Sequence, residues 1–298
     1  MWREHYDLAF LGVGAGGRAV LVASQLPPVS GESIALQSPD ADPISPETTE
    51  RLTELGFDLR RTPSADVPNL VGESLMSLQP AAGSAPRMVV DVSEMDRLTI
   101  GALVKGLASY GGAIEVDFSY VPAMFVPPSG SVAAAISGGD ASWSPFPGSV
   151  LDFGLAPALI LGLGYEDHVA VGTVERLDPS LLWTFSPASF APEYDEQVRS
   201  ANASLFQVRS VASEFVYPLE NPEVAFRRMA ELVNAVRDEH QVIIVPFGPK
   251  IFAAMANLIA AGWPTEVEVA NVIVSAGSTD NAAPDERVSV VRLTKKQQ

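Results

Sequence analysis

The sequence predicts an α/β protein made of two pseudo-repeated Rossmann-like halves, each a doubly wound, mostly parallel sheet. Three observations predict it. First, a glycine turn occurs twice: FLGVGAGGRAVLVASQL carries Gly12, Gly14 and Arg18, and ILGLGYEDHVAVGTVERL carries Gly162, Gly164 and His168, at an offset of 150. Second, VVDVSEMDRLTIGALVKGLASYGGAIEV is answered by IIVPFGPKIFAAMANLIAAGWPTEVEV. Sliding by 153 pairs Arg97 with Lys250, Tyr110 with Trp263, and Ile114-Glu115-Val116 with Val267-Glu268-Val269. Two motifs recurring in one order at nearly one offset mark an internal repeat, which decides architecture before any local reading. Third, short apolar runs alternate with helical patterns, which implies parallel pairing through right-handed crossovers.

In the first half, 7–13 reads as a buried strand and 17–25 as a helix. Residues 33–37 form a second strand. A helix follows over 46–55, with Ser45 as N-cap, Pro46 at the first position and Gly56 closing it. A third strand covers 57–61. The stretch 62–86 is rich in Pro, Ser and Gly and reads as irregular. A strong apolar strand at 88–92 leads to a helix over 96–110, with apolar residues at Leu98, Ala102, Leu103 and Leu107. Gly111-Gly112 ends it, and 113–121 is another strand.

Residues 126–156 carry Pro, Ser and Gly throughout and read as a linker, with Trp143 and Phe146 suggesting that it docks. The domains expected are therefore a first half over 1–125, this linker, and a second half over 157–298. In the second half, strands are expected at 158–163, 181–185, 214–217, 241–245 and 266–274. Helices are expected at 166–177, 194–206, 222–238 and 250–260. A last edge strand falls at 287–293, after a polar stretch at 276–287.

The bulk numbers exclude several classes. The 298 residues suffice for one large or two modest cores. No apolar run of about 18 residues is present, which argues against a membrane span. The opening MWREHYDLAF lacks the features of a secretory signal, so the expected location is the prokaryotic cytoplasm. The absence of cysteine excludes disulfides, thiolate metal sites and thiol nucleophiles. The three histidines are scattered without ligand spacing, and no metal is expected. A net charge of −17 disfavours long nucleic acid as a partner. Small anions remain open, because a helix N-terminus and a few arginines bind phosphate on an acidic protein.

In open α/β sheets, ligands sit at the carboxyl ends of strands where strand order reverses. That points to the loops after the first and fourth strands of each half. In GVGAGGR, Gly12, Gly14 and Gly17 permit a tight turn and close approach, and Arg18 opens the helix. The register departs from G-x-G-x-x-G, and plain turn geometry is the competing reading. In GLGYEDH, Gly162 and Gly164 precede Glu166, Asp167 and His168. These acids either favour the helix dipole or touch a ribose, and His168 corresponds to Arg18. The fourth-strand loops carry Asp91, Ser93 and Arg97 in one half and Gly248 and Lys250 in the other. Lys250 at a helix N-terminus opposes the dipole, which suggests a nearby anion. Asp91 either caps its helix or works in the cleft. Ser186 is a further candidate in the long loop expected after Trp183.

Residues 158–275 resemble the Rossmann-type sensor domains called CARF, found in prokaryotic antiviral defence. The likeness rests on a strand entering a short polar loop, a helix-rich middle, and a late strand running into PFGPK. CARF domains often carry a Gly-Gly-Thr-Lys-like loop there; Gly248 and Lys250 match it, and the Thr is absent. The related SAVED domains fuse two such units in one chain, as the duplication here does. The resemblance implies binding of cyclic oligonucleotides made by a partner enzyme.

The lead expectation is a nucleotide-signal sensor that binds its ligand in the cleft between the halves. Arg18, Arg97, His168 and Lys250 would neutralise phosphates, and a partner chain or homo-oligomer would carry the output. The first alternative is an enzyme cleaving a glycosidic or phosphodiester bond with Glu166, Asp167 or Asp91 as base or nucleophile. The second is a non-catalytic scaffold subunit. None of the three calls for a resident cofactor.

Overall fold

The computed structural model describes residues 2–78, 84–125, 142–143, 154–165, 169–189, 191–208, 210–271, 283–285 and 287–297. The chain divides into two compact units, Met1–Met124 with Asp280–Gln298, and Phe125–Thr279.

The first unit runs β1 (Leu8–Gly12), α1 (Arg18–Gln25), β2 (Ser33–Gln37), α2 (Pro46–Glu54), β3 (Asp58–Arg61), α3 (Val67–Ser77), β4 (Arg87–Asp91), α4 (Arg97–Ser109) and β5 (Ile114–Tyr120). The second contains β6 (Ser142–Trp143), β7 (Ala156–Gly162), α5 (Val169–Leu177), β8 (Leu181–Ala188), α6 (Pro192–Ala201), α7 (Ala203–Val208), β9 (Ser213–Pro218), α8 (Glu223–Val236), β10 (His240–Pro246), α9 (Lys250–Gly262) and β11 (Val267–Asn271). The chain then returns to the first unit for β12 (Ser289–Lys295).

The two sheets have one topology. The first is ordered β12-β5-β4-β1-β2-β3 and the second β6-β11-β10-β7-β8-β9. In each, five parallel strands are flanked by one antiparallel edge strand. All five residues of β1 are buried, as a parallel strand covered on both faces requires. The duplicated doubly wound architecture expected from the repeat is thus present. Arg97 and Lys250 each open a 13-residue helix, α4 and α9.

Local chemistry sets the starts of α2 and α4. Ser45 caps α2 by accepting from the Thr48 amide at 3.1 Å, Pro46 stands at the first position, and Gly56 follows at φ 84°. Ser45→Ala is expected to cost about 1 kcal/mol. Urea unfolding would read this as a lower midpoint at unchanged slope, and an unmoved midpoint would show the cap to be idle. Asp96 caps α4 by accepting from the Thr99 amide at 2.9 Å, so the cap is Asp96 and not Asp91.

Four expectations are corrected. The stretch 62–86 holds helix α3: Pro68 sits within its first turn, where a missing N–H costs nothing. Gly106 lets α4 close on it, since a Cβ there would lie 2.9 Å from Val71 Cβ and 3.0 Å from the Pro68 carbonyl. The helix expected over 194–206 is broken at Asn202, whose Nδ2 donates to the carbonyls of Val198 (2.8 Å) and Gly164 (2.7 Å). Such side-chain bonding competes with the helix ladder. β8 runs on to Ala188, so the long loop after Trp183 is in part strand.

The fourth correction concerns the edges. The last strand does not extend the second half; β12 pairs antiparallel with β5 of the first unit. Conversely β6, from the expected linker, pairs with β11 through Trp143↔Ala270 and Ser142↔Asn271. The sixth strand of each sheet therefore follows the fifth strand of the other. β12 is held by its side chains as well as its ladder. Arg292 donates to Asp117 from Nε (3.1 Å) and Nη2 (3.2 Å). Lys295 Nζ donates to the carbonyls of Leu107 (3.2 Å), Ala108 (2.7 Å) and Tyr110, closing the C-terminus of α4. Phe146 and most of the remaining linker lie outside the described residues.

Candidate functional site: the two switch points

Strand order reverses between β1 and β4 in the first unit, and between β7 and β10 in the second. These are the positions where open α/β sheets bind ligands.

At the first switch point, the glycines of GVGAGGR accommodate the neighbouring turn. A Cβ on Gly12 would lie 2.5 Å from the Met95 backbone nitrogen, and one on Gly14 would lie 3.2 Å from Glu94 Cβ. The turn between β4 and α4 presses directly on this loop. Gly17 supplies a left-handed residue, φ 73°, at the N-cap of α1. The amides at the start of α1 already have an anion. Glu94 accepts from the Gly16 amide at 2.7 Å and from the Ala19 amide at 3.1 Å. Arg18 forms an ion pair with the same carboxylate, Nε to Oε1 at 3.7 Å, and the two side chains are 5% and 1% exposed.

Asp91 ends β4 beside them, with no exposed surface. Its Oδ1 accepts from Ser93 Oγ at 2.6 Å and from Ser119 Oγ at 3.0 Å. Ser93 Oγ in turn accepts from the Val121 amide at 2.8 Å. Burial pushes the Asp91 carboxyl up to about 7; the two serine hydrogen bonds oppose that rise, the negative charge of Glu94 adds to it, and Arg18 opposes it. Asp91 Oδ2 and Arg18 Nε are buried with no hydrogen-bond partner among the described residues. Five polar side chains in two bonded sets, Glu94 with Arg18 and Asp91 with Ser93 and Ser119, are thus buried where the fold would hold a ligand.

The second switch point is built differently. On the 153-residue offset, Phe247 stands in the place of Glu94 and Ile244 in that of Asp91, and both are buried. Gly162 ends β7 under the Phe252 ring, where a Cβ would lie 2.6 Å from a ring carbon. Gly248 has φ 74°, and a Cβ there would lie 2.2 Å from the Leu163 carbonyl oxygen, so only glycine closes this turn. Half-buried Lys250 begins α9 one residue beyond Pro249. Tyr165, next to Gly164, meets Tyr194 edge-on at 5.8 Å between ring centres, and Tyr194 meets Phe125 at 6.1 Å.

The predicted residues therefore fall into four groups. Gly12, Gly14, Gly17, Arg18, Asp91 and Ser93 gather at the first switch point, and Gly162, Gly164, Gly248 and Lys250 at the second. Arg97 opens α4, and Ser186 lies within β8, where its Oγ donates to Glu214 at 3.0 Å. Glu166, Asp167 and His168 lie outside the described residues. Sequence reasoning missed Glu94, whose amide partners are 75 and 78 positions away in the chain. It also missed Ser119, which donates to Asp91 at 3.0 Å.

Among the described residues, no group of three or more His, Asp or Glu residues is arranged to hold a metal ion, and no helix is long and apolar enough to cross a membrane. No family model matches the chain, and no curated protein matches it. A solved structure described as "Structure of the Pnkp1/Rnl/Hen1 RNA repair complex" is similar over 90% of this chain and 97% of that chain, at 12% identity and a TM-score of 0.27. Similarity at that level assigns neither fold nor function.

Proposed function

We propose that the chain is a non-catalytic sensor that takes up a small nucleotide signal at the switch point of its second unit and relays binding to a protein partner. The observation that carries this reading is the asymmetry of the duplicated site. The first unit places a carboxylate against the Gly16 and Ala19 amides at the head of α1, and the second has the apolar Phe247 at the matching position of the 153-residue offset with Lys250 three residues on. Gly248 lets its turn close on Leu163 and Gly164, so that the backbones of both switch-point loops come together. Beside the loop, the half-buried rings of Tyr165 and Tyr194 offer flat apolar surface for a base.

The resemblance of 158–275 to CARF domains makes cyclic oligonucleotides the first ligand class to try. On the same ground, a cytoplasmic role in prokaryotic antiviral defence is the first setting to test. Of the residues named for the enzyme alternative, Asp91 has no exposed surface to offer a substrate, and Glu166 and Asp167 lie outside the described residues.

The test is thermal melting against cyclic di-, tri- and tetranucleotides, ATP and NAD. A ligand that binds only the folded state raises the midpoint, by about 2.7 kcal/mol of stabilisation at one hundred times its Kd. A cyclic oligonucleotide is expected to raise it, and Lys250→Ala to abolish the shift. A shift untouched by Lys250→Ala would move the site elsewhere. Turnover of any of these nucleotides would make the chain an enzyme.

A further inference from the structure

We infer that the first unit's switch point is an anion site filled by the protein itself, with the Glu94 carboxylate standing where a ligand's phosphate would otherwise sit. The cradle has each part that an anion needs. A left-handed glycine starts an eight-residue helix, and the loop amide of Gly16 and the first-turn amide of Ala19 converge on one spot. The guanidinium of Arg18 closes the spot from the side. What occupies it is an internal oxyanion, reaching across from the next loop and held by two amides at 2.7 and 3.1 Å.

A second, independent observation marks the spot as built for a larger anion than a carboxylate. Arg18 is buried, yet its Nε lies 3.7 Å from the nearest Glu94 oxygen and donates no hydrogen bond among the described residues. A guanidinium placed for a planar carboxylate would donate directly at about 2.8 Å. Here the carboxylate satisfies the amides and leaves the arginine short. A tetrahedral oxyanion has oxygens enough for both.

Gly14 fits the same account. Its missing side chain leaves room for Glu94, with 3.2 Å from a would-be Cβ to Glu94 Cβ. This inference rests on the sensor reading in one respect only: it makes the stoichiometry one ligand per chain, taken by the second unit.

The experiment is thermal melting of Glu94→Ala in a Lys250→Ala background, which removes the lysine at the second unit's switch point. Inorganic phosphate, pyrophosphate and formate are titrated, with sodium chloride as the ionic-strength control. The expected result is a saturable rise in midpoint with phosphate, at lower concentrations than formate requires. Chloride should not give it, Lys250→Ala alone should not show it, and a further Arg18→Ala should remove it. A midpoint that follows ionic strength alone would overturn the inference and leave Glu94 as a helix cap. If Glu94→Ala does not fold unaided, refolding from urea with and without formate replaces the melt. Recovery only with the anion supports a filled site, and equal failure in formate, phosphate and chloride overturns it. Lys250 is absent from the decisive variants, so failure of the sensor reading leaves this result unaffected.

Discussion

Asp117→Ala is expected to destabilise the first unit by about 3–5 kcal/mol, the usual cost of stranding a buried charge. Asp117 is fully buried on β5. It accepts from Arg3 Nε at 3.1 Å, from Tyr6 Oη at 2.8 Å and from Nε and Nη2 of Arg292. Removing it leaves the Arg3 guanidinium, 12% exposed, without its deepest partner. It also leaves the buried Tyr6 hydroxyl without an acceptor. Burial first, and then the hydrogen bond to Asp117, hold that phenol protonated far above its usual range. The Arg292 contribution is discounted because that side chain is half exposed. Since domains hold only about 5–15 kcal/mol in total, the loss is a large fraction of the whole. Hydrogen exchange resolved by segment is the measurement. Protection should collapse in β5, β12 and the N-terminal segment and persist in β7 and β10. Uniform loss across both units would show that they unfold together, and no loss would show the network to be dispensable.

The second large effect is a dependence on pH that runs opposite to ordinary acid denaturation. An unfolded aspartate titrates near 3.8, whereas folded Asp91 keeps its proton to about 7. Between those values the folded chain binds more protons than the unfolded one. Stability from this group therefore falls as pH rises from about 4 to about 7 and is level above that. Glu268 contributes with the same sign, its carboxyl being pushed up to about 7 by burial. A gap of about three pKa units corresponds to a loss on the order of 4 kcal/mol for Asp91. Asp91→Asn keeps an acceptor for Ser93 and Ser119 and has no charge to bury. It is expected to raise the melting temperature at about pH 8 and to flatten its fall over the acid side of neutrality. A variant whose melting temperature still falls as steeply would assign the slope to other groups.

The duplication was legible because it is written in glycines and in a fixed offset, and both are local. Strand positions followed from apolar runs that bury on both faces. What escaped depends on partners far away in the chain. Nothing around Glu94 signals that its carboxylate seats on a helix 75 positions earlier. Nothing around Asp117 signals Arg3 and Arg292, which are 114 and 175 positions away. Helix α3 escaped because Pro68 and Gly72 read as breakers, although Val67, Val71 and Leu75 sit on one face of it. The glycine loop was found at its correct place at the head of α1, but its neighbour Met95 could not be foreseen. The glycines make room for protein first.

The exchange of sixth strands sets an order of events on the ribosome. The second sheet has all its strands once β11 has emerged, whereas the first, begun earlier, still lacks β12. More than half of the chain is synthesised between β5 and β12. At about 5–20 residues per second, that is roughly ten to thirty seconds with β5 as an open edge. An open parallel edge invites pairing with other nascent chains on the same message. The half that is made first is therefore finished last, and it is the half whose early exposure a chaperone would have to cover.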